Sequence, residues 1–113
     1  MSFQTSDSHP ALEHRPVRAA ALQAGIFEEA RTLVSELPGW TLVAADEASG
    51  KIECKRRAGF LSGESRITIS IESPAGVPST TVNVRSESSG GILRRDRQNV
   101  AEFVRPFHRR VCL

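Results

Sequence analysis

Between Gly25 and Leu37 the apolar residues Ile26, Phe27, Ala30, Leu33, Val34 and Leu37 return every three or four positions, the period of a helix with one buried stripe. Glu28, Glu29, Arg31 and Glu36 fall on its other side. Pro38 disfavours helical geometry at Leu37 and Gly39 supplies the freedom to reverse, so the helix is predicted to stop there. The period then drops to two. Trp40–Ala45 reads as a strand, 46–50 (Asp-Glu-Ala-Ser-Gly) as a turn, and Lys51–Arg56 as the partner strand with Ile52 and Cys54 facing inward. Ile67, Ile69 and Ile71 interleave with Arg66, Thr68, Ser70 and Glu72, the alternation of a half-buried antiparallel strand. Val82 and Val84 repeat that pattern over Thr80–Glu87. After Gly90-Gly91 the helical period returns, with Leu93, Val100, Phe103, Val104, Phe107 and Val111 on one stripe. Pro106 lies within it and predicts a kink or an end near Arg105.

These elements predict an α+β, two-layer sandwich: an antiparallel sheet of four strands packed by an N-terminal and a C-terminal helix on one face. Arg15–Leu22 adds a fifth strand if its alternation prevails over the helix preference of its alanines, giving the order (β)-α-β-β-β-β-α. Residues 1–13 show no hydrophobic period and predict a disordered tail, leaving 14–113 as one α+β domain.

Composition changes this picture little. The 113 residues are 39% hydrophobic and 25% charged, enough for one core. No apolar run approaches the ~20 residues of a membrane span and the first ten residues are not a secretory leader, so a cytoplasmic location is expected. Cys54 and Cys112 form no CxxC pair and are expected as free thiols. Charge is more telling. From Gly91 onward six arginines (Arg94, Arg95, Arg97, Arg105, Arg109, Arg110) stand against Asp96 and Glu102, whereas the whole chain carries a formal +2; the basic character belongs to the last element.

Several segments together resemble a known family: the helix, then 37–40 (Leu-Pro-Gly-Trp), 43–46 (Val-Ala-Ala-Asp), 50–53 (Gly-Lys-Ile-Glu), and a strand ending in 85–88 (Arg-Ser-Glu-Ser). The chain is similar over about Val17–Phe107 to the bacterial domain-of-unknown-function family numbered fourteen ninety-nine. The family follows its Arg-Ser-x-Ser with a Gly and Asp loop and an Asn opening the last helix; Asp96 and Asn99 correspond only with an insertion. The resemblance implies a small α+β domain with no established activity.

Candidate chemistry is sparse. On a continuous last helix Arg94, Arg97, Arg105, His108 and Arg109 share one arc beside the apolar stripe, and with Arg95 they form a candidate anion-binding surface for nucleic acid or acidic lipid headgroups. The plainer reading is a solvated face whose late cations suit the helix dipole. The absence of Tyr leaves few stacking platforms for single strands. Arg56, Arg57, Phe60 and Leu61 make a candidate interaction loop. Trp40 reads as a buried anchor at the helix–strand corner, Asp46 and Glu47 as turn formers, and Glu64 as a strand-edge charge paired with Arg66. Ser86, Ser88 and Ser89 have no assignable base, and His9, His14 and His108 no nucleophile spacing. The sequence therefore predicts a non-enzymatic binding or protein-interaction module with no cofactor or metal. It would use a sheet–helix groove, lined by Ile67, Ile69, Val82, Val84 and Phe103, or the Phe60 loop, to meet a small apolar ligand or a protein. An exposed edge strand would permit a homodimer.

Overall fold

The computed structural model describes residues 2–57, 64–74, 78–89 and 96–111. Strand β1 (Ser2–Gln4) is followed by a single 3-10 turn (Leu12–His14), β2 (Val17–Ala19), helix α1 (Gln23–Glu36), β3 (Trp40–Asp46), β4 (Lys51–Arg57), β5 (Glu64–Glu72), β6 (Thr80–Ser89) and helix α2 (Asp96–Val111). All pairings are antiparallel, in the order β1-β6-β5-β4-β3, with β2 beside the start of β6. The α+β sheet-and-two-helix architecture matches the sequence pattern, but the sheet has six strands in place of four or five.

Alternation builds the inner face. Ile52, Cys54, Ile67, Ile69, Ile71, Val82 and Val84 are buried to 1% exposure or less and share one cluster with Ile26, Phe27, Ala30, Leu33 and Val34 of α1 and Val100, Phe103, Val104 and Phe107 of α2. The register places Ile69 between Ile52 and Val84, and Ile67 between Cys54 and Ser86. Burial and the neighbouring Glu53 push the Cys54 thiol up to about 12. Trp40 anchors the corner as expected, buried within the cluster and 6.1 Å from the Phe103 ring centroid.

Turn chemistry sets the β3–β4 hairpin. Asp46 Oδ1 accepts from the amides of Ala48 (3.1 Å) and Ser49 (3.4 Å), an Asx turn. Gly50 has φ +69, and a Cβ there would lie 2.2 Å from the Ile71 carbonyl oxygen, so only glycine fits.

Three expectations are corrected. Residues 2–13 are not a disordered tail: β1 pairs with 85–87 of β6, the Thr5 amide donates to Val84 O at 2.9 Å, and Thr5 Oγ1 accepts from the Val84 amide at 3.1 Å. Backbone pairing along an open sheet edge, which leaves no hydrophobic period in the sequence, orders this segment. Helix α2 does not end near Arg105; it contains Pro106 and runs on to Val111, because Phe107 and Val111 beyond the proline pack on the core. Glu64 pairs not with Arg66 but with Lys55 across the sheet, at 3.6 Å.

Candidate functional site: a groove between the N-terminal segment and the last helix

Ile67, Ile69, Val82, Val84 and Phe103, the expected lining of an open sheet–helix cavity, are each at 0% exposure. Side chains occupy that space, and an internal site there is overturned. Concavities lie outside, two of them where the N-terminal segment crosses α2.

One groove, of about 250 Å³, is lined by Leu12 and Glu13 from the 3-10 turn and by Val104, Arg105, His108 and Arg109 from α2. The sequence explains both walls. On α2, Val104 belongs to the buried stripe while Arg105, His108 and Arg109 sit beside it, one turn apart. On the opposite side the 3-10 turn projects Leu12 outward, 54% exposed, while turning His14 inward. The result is an apolar floor with a cationic rim. Glu13 Oε1 accepts from Arg105 Nη2 at 2.9 Å; the bond to Arg105 holds the Glu13 carboxyl below the usual carboxylate range. Arg109, by contrast, has no ion pair among the described residues.

A second hollow of about 450 Å³ adjoins it, sharing Glu13 and Arg105 and adding His14, Arg97, Gln98, Ala101 and Glu102. Its His14 wall belongs to a cluster of rings. Phe3, His9 and His14 meet edge-on, with centroids 4.9–5.1 Å apart, and the Arg97 guanidinium lies 4.9 Å above the Phe3 ring, a cation–π contact. His14 Nε2 is 3.2 Å from Arg97 O, and Arg15 Nε donates to His9 O at 2.5 Å. Desolvation, followed by the charges of His14, Arg97 and Arg15, lowers the His9 pKa.

The structure thus disperses the basic arc. Arg97 packs on Phe3, Arg105 is tied to Glu13, and Arg109 remains at the groove rim, while Arg110 bridges to Glu29 (3.1 Å) and Glu36 (3.0 Å) of α1. Of the interaction-loop residues, Arg56 is not a loop cation but a clamp: its Nε and Nη2 donate to the two carboxylate oxygens of Glu102 at 2.9 and 3.1 Å. Trp40 Nε1 donates to the same carboxylate. Arg57 is exposed beside Gly39, Trp40 and Thr41. Arg94, Arg95, Phe60 and Leu61 lie outside the described residues, as do Gly90-Gly91, Leu93 and Cys112.

One polar cluster gathers serines for which the sequence offers no base. Ser86 and Ser88 both donate to Asp96 Oδ1 at 2.7 Å, Asn99 Nδ2 donates to Ser86 Oγ at 3.2 Å, and Ser65 Oγ is 3.1 Å from Ser88 Oγ. Asp96 is 5% exposed, and its Oδ2 has no hydrogen-bond partner among the described residues. The cluster fastens the first turn of α2 to β6 and β5, with a carboxylate where the helix dipole favours one. Its signal was Asp and Asn three residues apart at a helix start, following Ser-x-Ser.

Among the described residues no group of three or more His, Cys, Asp or Glu side chains is placed to hold a metal ion, and no helix is long and apolar enough to cross a membrane. No family model matches the chain, and no curated protein sequence matches it. The fold is similar to the crystal structure of Ara h 8.0201, with a TM-score of 0.55 at 12% identity over 97% of this chain and 96% of that one. At that identity the likeness establishes the shared architecture and leaves function to the residues themselves.

Proposed function

We propose that this protein is a non-enzymatic binding module whose groove between the 3-10 turn and α2 takes an amphiphilic anion: an apolar body on Leu12 and Val104, and a carboxylate or phosphate head at Arg109 and Arg105. The observation that carries this reading is Arg109, which has no ion pair among the described residues, at the rim of an apolar floor. A cation beside exposed leucine serves no packing purpose, whereas together they complement a ligand that is apolar at one end and anionic at the other. Arg105 can exchange Glu13 for the ligand head, since its own side chain is 65% exposed, against 27% for Glu13, and ion pairs open to solvent contribute little stability. The resemblance to the family numbered fourteen ninety-nine belongs to this reading. It is supported by the meeting in space of Ser86, Ser88, Asp96 and Asn99, of which Asp96 and Asn99 match the family's aspartate and asparagine positions only with an insertion.

Calorimetric titration with dodecanoate, and with dodecyltrimethylammonium as the matched cation, tests the proposal. Dodecanoate should bind and the cation should not. Arg109→Gln should weaken dodecanoate binding about tenfold, the value of one charge-assisted contact, and Leu12→Glu should abolish it. Equal binding of both surfactants, or dodecanoate binding indifferent to both substitutions, refutes the groove.

A further inference from the structure

The sheet ends on one side in β3, whose outer edge faces no other strand among the described residues. From Trp40 to Ala45 this strand carries no charged residue and no proline, although edge strands are ordinarily protected by such residues. Thr41–Asp46 are all exposed, with Leu42 at 39% and Val43 at 52%. The protective device present is a register shift between Leu42 and Ala44 against β4, and it leaves Val43 in solvent. Within the described residues, the Trp40 amide alone in this strand bonds to backbone outside the β3–β4 pair, to Leu37 O at 3.3 Å.

We propose that β3 is a self-association edge, pairing antiparallel with β3 of a second copy about a two-fold axis at Val43. Two features select a second copy as the occupant. The first is register: centred on Val43, the pairing sets Leu42 against Ala44 and Thr41 against Ala45, so from Thr41 to Ala45 no charge meets an apolar residue, and only the terminal Trp40 falls opposite Asp46. The second is charge. Asp46 and Glu47 stand at one end of β3, while at the other Gly39, Trp40 and Thr41 line a hollow of about 490 Å³ with the Lys55–Glu64 ion pair and Arg57, whose charge the pair leaves unbalanced. Antiparallel pairing brings the acidic end of each copy to the basic end of its mate, twice per dimer, as an isologous interface requires. The outcome is one continuous antiparallel sheet across two molecules, with the α2 grooves on separate copies.

Sedimentation equilibrium across a concentration series tests this, with hydrogen exchange at the Thr41–Ala45 amides as a local readout. The wild-type chain should pass from monomer to dimer as concentration rises, with those amides gaining protection in parallel. Val43→Lys places two ammonium groups on the axis and should raise the dissociation constant on the order of a hundredfold; Val43→Glu should do the same. An equimolar mixture of the two variants should recover the dimer, which loss of folding in either would prevent. A wild-type chain that stays monomeric throughout, a dimer unaffected by Val43→Lys, or variants that do not rescue one another would each overturn the proposal.

Discussion

Glu102 answers two unlike donors with one carboxylate, the Trp40 indole and both arms of the Arg56 guanidinium. The Arg56 side chain is 14% exposed and that of Glu102 33%, so solvent replaces the lost partner poorly on either side. Glu102→Ala strands a half-buried cation and an indole N–H together and should cost about 2–3 kcal/mol in urea unfolding. Glu102→Gln keeps an acceptor for Trp40 and should cost roughly half as much. Equal losses would show that the carboxylate charge on Arg56, and neither packing nor the Trp40 bond, carries the contribution. Cys54 poses the opposite case, a reactive group silenced by its surroundings. With its pKa raised to about 12, the thiolate is scarce at pH 8. Iodoacetamide should leave Cys54 unmodified in the folded protein and label it once urea unfolds the chain, as read by peptide mass spectrometry.

The N-terminal segment is held mainly by β1–β6 hydrogen bonds and by the ring cluster, and this makes it sensitive to acid. The His9 pKa is lowered while the segment is docked, by desolvation first and then by His14, Arg97 and Arg15. The docked form therefore binds fewer protons than the released form, so docking is fully favoured above the ordinary histidine range and weakens as pH falls through about 6.5. Glu13 acts at lower pH: its carboxyl, held down by Arg105, contributes until pH falls through its own range. Hydrogen-exchange protection factors, corrected for the intrinsic pH dependence of amide exchange, should fall at Phe3, Gln4 and Thr5 between pH 7.5 and 5.5, while those of Ile67–Ile71 hold. His9→Phe should remove the change. This segment also marks the limit of what the sequence discloses. Helix α1 and the strands β3 to β6 were legible because each repeats apolar residues at its own period, and Val17–Ala19 because a short alternation survives among alanines. β1 has three residues and one phenylalanine, too little for any period, and its order comes from an open edge of β6 that no local pattern encodes. The same limit hid half of the groove. Arg105 and Arg109 showed in the sequence as a basic arc, but Leu12 and Glu13 reach them across some ninety residues through a segment whose composition reads as disorder. Of the two outcomes expected at Pro106, a kink or an end near Arg105, the end does not occur, since tertiary contacts at Phe107 and Val111 outweigh the local cost of the proline.

At the scale of the whole molecule, the two ends of the sheet receive opposite treatment. At one end, β1, Thr5 and β2 cover β6 from Thr80 to Glu87; at the other, β3 is left open. A molecule with one open edge forms a closed pair and stops, whereas a molecule with two can add copies without limit. Deleting residues 2–15 removes β1 and the 3-10 turn and exposes the Val84–Glu87 stretch of β6. The deletion also frees Arg105 from Glu13 and removes Phe3 from beneath Arg97, so repulsion among the α2 cations grows while the groove loses its Leu12 wall. If β3 is the self-association edge, this variant should scatter light increasingly with concentration, growing beyond a dimer, and should no longer bind dodecanoate. Adding Val43→Lys to the deletion closes the β3 edge again and should hold assembly at a pair joined through β6. Growth unchanged by Val43→Lys would mean that chains join through β6 and the exposed core alone, and that covering β6, not leaving β3 bare, is what controls the molecule's association.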